Sequence, residues 1–189
     1  MAARAGLFAF LLIFAGALAG HHPAPAAESP AWQALAGGAI VLFRHSNAPG
    51  TGDPRDFRLG DCATQRNLDD AGREQARRIG EAFRSRGIAV GRVLASRWCR
   101  AQDTAALAFP GRVEGEPAFD SFFEARERRD AATAAARRIL ERWQGPGALV
   151  VATHQVNITA LTGIVPRSGE GVVLRIENGE IRIIGRIQP

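Results

Sequence analysis

Three short apolar runs along the chain predict the strands of a buried sheet. Two of them, 39–43 and 148–152, contain no polar residue, and a weaker third run covers 90–95. Uninterrupted runs this short, rich in β-branched residues, are typical of strands covered on both faces, as in a parallel sheet. We therefore expect a central sheet that lies between two layers.

Helical patterns separate these runs. The first begins at Asp69 and Asp70, whose carboxylates suit an N-cap and a first turn, and it ends at Gly87. Two shorter helices are predicted over 100–108 and 130–144. Strands that alternate with helices predict a three-layer α/β/α sandwich, with a mostly parallel central sheet and helices on both of its faces.

The carboxyl-terminal pattern differs from the rest. Apolar residues recur over 172–176 and 181–187, and the two segments flank Asn178-Gly179. A two-residue type I′ turn needs a positive φ at both positions, which asparagine and glycine tolerate best. We expect an antiparallel hairpin at one edge of the sheet.

The amino-terminal pattern predicts a targeting segment. Arg4 precedes an apolar run over 5–19 that is short for a membrane span, and the small residues at 17–19 or 24–26 offer cleavage sites. An uncleaved anchor is the alternative interpretation. We expect a periplasmic or secreted bacterial protein, with no stable membrane span after cleavage, organised as a signal peptide (1–19), an unstructured lead (20–30) and a single domain (31–189).

Composition narrows the possible partners. All 24 basic residues are arginine, yet the formal net charge is only +5. A nucleic-acid binder would show clustered arginines, whereas these are scattered among acidic residues, so we expect no nucleic-acid partner. The two cysteines lack the spacing of a zinc site, and we expect no metal and no cofactor. The sequence leaves the oligomeric state open.

Four residues that suit phosphate binding follow the predicted strands. Arg44 and His45 come directly after the run 39–43. Arg100 lies just past the run 90–95, and His154 follows the run 148–152. Ligands of open α/β sheets bind beyond the carboxyl ends of the strands, so these side chains should converge at one edge. The planar fork of arginine matches phosphate oxygens, which predicts a pocket for a phosphate dianion.

Phosphoryl transfer is the chemistry that such a pocket supports. A neutral imidazole can attack phosphorus and form a covalent phosphohistidine, and neighbouring arginines should keep His45 neutral near physiological pH. The arginines would also stabilise the charge on the equatorial oxygens in the transition state, and His154 could donate a hydrogen bond to the same group. No metal is needed in this scheme.

Four short segments resemble the histidine phosphatase superfamily, also called the phosphoglycerate mutase-like family. They comprise an Arg-His-Gly-type motif with Ser46 in place of the glycine, the opening of the first long helix, a Ser-x-x-x-Arg-x-x-x-Thr-Ala stretch, and a late strand followed by histidine. In chain order they cover 42–46, 67–72, 96–105 and 150–158. Each segment is weak alone, but four in the order of the family are specific. The resemblance implies that His45 is the nucleophile and that Arg44, Arg100 and His154 complete the phosphate pocket.

The resemblance leaves two assignments less direct. Arg97 lies close to Arg100, and the register of the motif favours Arg100 as the pocket arginine. The general acid of the family could be Asp120 or Glu124.

We expect an exported phosphatase that hydrolyses a small-molecule or envelope-sugar phosphomonoester through a phosphohistidine on His45. The alternative is a catalytically weak phosphate-binding or phosphate-sensing module of the same fold.

Cys62 and Cys99 are expected to form a disulfide. An exported domain matures in an oxidising compartment, where two cysteines of a small domain commonly pair. Cys62 falls in the loop before the first long helix, and Cys99 precedes Arg100. A bridge would therefore tie this loop to the segment that carries the pocket arginine. Two buried free thiols are the alternative.

Overall fold

The structure is a computed structural model that describes residues 28–189. The predicted signal peptide, 1–19, and most of the predicted lead, 20–30, lie outside this range. Within it are the helices Pro30–Ala36 (α1), Asp70–Ser85 (α2), Cys99–Ala108 (α3), Arg129–Glu141 (α4) and Gln155–Thr162 (α5). The strands are Ile40–Arg44 (β1), Val90–Ala95 (β2), Val113–Gly115 (β3), Ala148–Thr153 (β4), Gly171–Glu177 (β5) and Glu180–Ile187 (β6). No helix among the described residues is long and apolar enough to cross a membrane.

The strands form one sheet in the order β3-β2-β4-β1-β5-β6. The first four of these are mutually parallel, while β5 pairs antiparallel with β1 and β6 pairs antiparallel with β5. In the hairpin turn, Asn178 has a φ of 53° and Gly179 a φ of 76°, as a type I′ turn requires. The mostly parallel sheet with a hairpin at its edge confirms the predicted fold class.

Alternate side chains of the central strands enter two separate cores. Val41 and Phe43 pack in a cluster that includes residues of α1, α2 and α3. Ile40 and Leu42 point to the opposite face, in a cluster with residues of α4 and α5. Because successive residues of a strand face opposite sides and both sides are buried, the strand sequences need an apolar residue at every position.

For the elements that were predicted, the boundaries agree closely with the sequence pattern, except at the end of α4. The Asp69 side chain accepts a hydrogen bond from the backbone NH of Gly72, which makes it the N-cap of α2. The helix predicted over 130–144 ends earlier, at Glu141, and Trp143 then packs against the second core with its ring beside Gly145. The sequence analysis did not identify α1, α5 or β3.

Candidate active site

The carboxyl ends of β1, β2 and β4 meet at one edge of the sheet, beside a pocket of about 670 Å³. The backbone NH of His45 donates to the carbonyl of Thr153 at 2.8 Å, and the NH of Ser96 donates to the carbonyl of Ala152 at 2.9 Å. The ladder thus continues past the strands and holds the segments side by side. The pocket is lined by all four of the predicted residues, Arg44, His45, Arg100 and His154.

His45 is held in the state that a nucleophile needs. Its side chain is buried, and Nδ1 lies 2.8 Å from the carbonyl oxygen of Ser46. A carbonyl can only accept, so Nδ1 carries the hydrogen and Nε2 keeps its lone pair. Burial, together with the charges of Arg100, Arg66 and Arg44, lowers the pKa of His45 from 6.5 to about 3. The ring is therefore neutral at physiological pH, mainly because it is buried.

His154 faces His45 across the base of the pocket. The two ring centroids are 5.4 Å apart, and the rings are nearly perpendicular at 65°. Nε2 of His154 lies 2.8 Å from the hydroxyl of Ser96. Burial, His45 and the nearby arginines hold the pKa of His154 well below 6.5. When the Ser96 hydroxyl donates to Nε2, the hydrogen of the neutral ring sits on Nδ1, the tautomer that can donate to a phosphoryl oxygen.

Arg44 and Arg100 each have one buried donor atom without a partner. Arg44 donates from Nη1 to the carbonyl of Pro166 at 3.1 Å, and Arg100 donates from Nη1 and Nη2 to the carboxylate of Asp53. The Nε atoms of both Arg44 and Arg100 are buried and form no hydrogen bond. Buried donors are rarely left unpaired. An anion in the pocket would supply the missing acceptors.

Comparison with known proteins supports a family assignment. Residues 40–120 match the family model of the histidine phosphatase superfamily, branch 1. This match and the shared fold support the assignment of the chain to the histidine phosphatase superfamily. Members of this superfamily are phosphatases and mutases. No curated protein matches the sequence.

Solved structures share the histidine phosphatase fold with this chain. The protein histidine phosphatase SixA, complexed with tungstate, has a TM-score of 0.56 at 15% identity, covering 80% of this chain and 97% of that one. Phosphoserine phosphatase from Entamoeba histolytica, in complex with 3-phosphoglyceric acid, has a TM-score of 0.53 at 12% identity, with coverages of 80% and 97%. The α-ribazole phosphatase from Shigella flexneri has a TM-score of 0.50 at 18% identity, with coverages of 80% and 96%. At these identities the likeness establishes the fold alone.

Arg66 is a pocket residue that the sequence analysis missed. It lines the pocket, where its side chain donates from Nε to the carbonyl of Gly52 at 2.8 Å and from Nη1 to the carbonyl of Ala48. It lies in an irregular segment, so neither periodicity nor a strand end marks it. Its place directly before the family segment 67–72 was the available signal. We call Arg44, His45, Arg66, Arg100 and His154 the anion cradle.

The structure separates the two candidates for the general acid. Asp120 is buried beneath the pocket lining, where its carboxylate accepts from the backbone NH of Arg97 at 2.8 Å and from Nε of Arg97 at 2.8 Å. Asp120 is therefore the buried partner of an ion pair with Arg97, and it does not line the pocket. Glu124 is exposed and lines the pocket. The pairing of Arg97 with Asp120 also leaves Arg100 as the arginine of the cradle.

A disulfide joins Cys62 to Cys99, with 5.7 Å between their Cα atoms. It links the segment between β1 and α2 to the first residue of α3, next to Arg100. The same segment carries Arg66, so the bridge anchors one part of the cradle against another. Among residues 28–189, no group of three or more histidine, cysteine or acidic side chains is placed to hold a metal ion.

Proposed function

We propose that this histidine phosphatase hydrolyses a phosphomonoester through a covalent phosphohistidine on His45. The observation that carries the proposal is the pair of neutral imidazoles, His45 and His154, in a cradle with three arginines. A neutral Nε2 can attack phosphorus, while the guanidinium groups neutralise charge on the transferring oxygens. Buried, pre-oriented donors act strongly here because little water competes with them.

The reaction has two steps. Nε2 of His45 attacks the phosphorus, the P–O bond to the ester oxygen breaks, and the alkoxide leaving group takes up a proton. Water then attacks the phosphohistidine, the P–N bond breaks, and inorganic phosphate leaves with His45 again neutral. The hydrogen bond from Nδ1 to the Ser46 carbonyl keeps the ring oriented through both steps.

Glu124 is our candidate for the proton donor to the leaving group. It is one of two carboxylates that line the pocket, and the other, Asp53, is fully occupied by hydrogen bonds. Its exposed position near the mouth suits a group that exchanges protons with water between steps.

Export is the second part of the proposal. Disulfides persist in oxidising compartments, and the Cys62–Cys99 bridge is compatible with a periplasmic or secreted protein. The substrate would then be a small molecule or an envelope sugar that carries a phosphomonoester. The volume of about 670 Å³ leaves room for an organic group beside the phosphate.

The test compares His45→Asn with His154→Asn in the purified domain, using an aryl phosphate without added metal. His45→Asn should abolish both turnover and acid-labile labelling of the protein by substrate phosphate. His154→Asn should slow turnover by about a hundredfold or more but still acquire the label, because the nucleophile remains. Labelled, active His45→Asn would refute the mechanism. A wild type that binds phosphate but shows no turnover would instead favour the phosphate-binding module.

A further inference from the structure

The carboxylate of Asp53 is the one acidic group that contacts the anion cradle directly among the described hydrogen bonds. It lies in the irregular segment between β1 and α2, and its side chain is only 10% exposed. Burying a carboxylate is costly unless hydrogen bonds and opposite charge compensate it. A negative group inside a site for anions therefore needs an explanation.

Four hydrogen bonds hold this carboxylate. Oδ1 accepts from Nη1 of Arg100 at 2.7 Å and from the backbone NH of Arg66 at 3.2 Å. Oδ2 accepts from Nη2 of Arg100 at 3.1 Å and from the indole NH of Trp98 at 2.9 Å. An ionised carboxylate offers about four acceptor positions, and all of them are used. Asp53 is thus a fixed part of the structure.

Asp53 is not a proton donor in this arrangement. Burial alone would raise its pKa, but the hydrogen bonds and charge of Arg100, with those of Arg66 and Trp98, lower the pKa below its ordinary value. The carboxylate stays ionised, and an ionised carboxylate can only accept. Its effect on the reaction must therefore pass through the groups that it binds.

The geometry at Arg100 indicates what that effect is. A guanidinium group has two edges that can make paired hydrogen bonds, one formed by Nη1 and Nη2 and one formed by Nε and a single Nη. Asp53 occupies the first edge. On the second edge, Nε is buried and has no partner, and Nη2 retains one hydrogen. The side chain of Arg100 is only 3% exposed, so it has little freedom to turn.

We propose that Asp53 is the positioning residue of Arg100: it fixes one edge of the guanidinium so that the other edge is presented to the phosphoryl oxygens. This inference rests on the proposed function for the identity of the anion. The competing interpretation is that Asp53 occupies the place of the anion and must leave before phosphate binds. The two interpretations predict opposite changes in phosphate affinity.

The experiment measures the Kd of inorganic phosphate by calorimetry, and kcat/KM for an aryl phosphate, in wild type and Asp53→Asn. The amide keeps the shape, but both carboxylate oxygens accept from Arg100, so in either orientation an NH2 group faces the guanidinium, which loses its paired acceptor. We expect phosphate binding and kcat/KM both to weaken by about tenfold or more, as loss of an outer-shell partner does at metal sites. Unchanged or tighter phosphate binding would overturn the proposal.

Asp61→Asn is the matched control. Asp61 lies in the same segment and also accepts from an arginine and a backbone NH, at 3.0 Å from Arg58 and 3.2 Å from Ala63, but it does not line the pocket. Its substitution should leave both measurements within about twofold of wild type, in line with an exposed ion pair. A loss equal to that of Asp53→Asn would mean that the segment is merely destabilised.

A double-mutant cycle tests whether the effect passes through Arg100. If Asp53 acts by positioning Arg100, then Asp53→Asn should cause no further loss in an Arg100→Ala background. A full additional loss would overturn the positioning role. Should Asp53→Asn fail to fold, Asp53→Glu displaces the carboxylate while keeping its charge, and it should weaken phosphate binding in the same direction.

The outcomes separate this inference from the proposed function. A wild type that binds phosphate without turnover would refute the phosphatase proposal, and the ratio of Kd values would still decide the role of Asp53. A wild type that binds no phosphate would overturn both.

Discussion

Two arginines that lie three positions apart have different partners and different roles. Arg100 is buried in the cradle against Asp53, whereas Arg97 is 43% exposed in its side chain and pairs with the buried Asp120. The first ion pair lines the pocket, and the second joins the end of β2 to the segment after β3. The charge of each residue is the same, so its position decides its function.

Arg100→Ala should therefore mainly reduce activity, whereas Arg97→Ala should mainly reduce stability. Arg100→Ala should lower kcat/KM for an aryl phosphate by about a hundredfold, because a transition-state oxygen loses a charged donor. Arg97→Ala should leave turnover within a few fold but lower the free energy of unfolding by roughly 1–3 kcal/mol, because Asp120 stays buried without its cation. Steady-state kinetics and urea unfolding of both variants check this. Equal losses of activity would show that the assignment of Arg100 is wrong.

The sequence allowed some residues of the cradle to be predicted and not others. His45 and His154 could be predicted because each directly follows the end of a buried strand, and strand ends in a parallel sheet share one edge. Arg66 and Asp53 lie in an irregular segment whose path depends on long-range contacts, including the disulfide. No periodicity marks such positions, so only the folded chain reveals them.

At the scale of elements, glycines allow α2 to approach its neighbours closely. A Cβ at Gly72 would lie 2.0 Å from the carbonyl oxygen of Asn47, and a Cβ at Gly80 would lie 2.1 Å from that of Ala108. The first contact sets α2 against the segment that follows His45, and the second sets it against the end of α3. Both contacts are with backbone, which cannot move aside locally.

Gly72→Ala and Gly80→Ala should both destabilise the protein. Helix propensity alone would favour alanine by about 1 kcal/mol, but the overlap should reverse the sign and lower the free energy of unfolding by roughly 1–3 kcal/mol. Only Gly72→Ala should also reduce kcat/KM, since it displaces the segment beside His45. Urea unfolding and aryl phosphate turnover measure the two effects. Stabilisation by either substitution would contradict the close packing.

The long elements and those with a clear sequence signal were predicted, whereas the short elements without such a signal were not. The helix α2 and the hairpin of β5 and β6 carry clear signals in the N-cap Asp69 and in the turn Asn178-Gly179. The helix α5 has only eight residues, with polar and apolar positions that follow no single face, and β3 has only three. Tertiary packing decides the structure of such short segments.

At the scale of the whole molecule, the neutral histidines of the site lower the stability of the folded protein at low pH. The folded state holds the pKa of His45 at about 3 and that of His154 well below 6.5, while in the unfolded chain both return to ordinary values. Below about pH 6.5 the unfolded chain therefore binds more protons than the folded one, and acidification favours unfolding.

The free energy of unfolding should fall by about 1.4 kcal/mol per pH unit for each of these histidines as the pH drops below about 6.5. For His45 this decline continues toward its folded pKa of about 3. His45→Gln removes one titrating group, so its stability should fall less steeply between about pH 7 and about pH 5. Urea unfolding at both pH values gives the two slopes. Equal slopes in wild type and variant would contradict the depressed pKa of His45.

The bridge between Cys62 and Cys99 also sets an order of events in the life of the protein. Neither cysteine belongs to the two hydrophobic cores, so the sheet and its helices can assemble while both thiols are reduced. The segment that carries Asp53 and Arg66 gains its covalent anchor only after an oxidant has closed the bridge. A chain with both thiols reduced would thus keep its two cores while this segment lacks its covalent anchor.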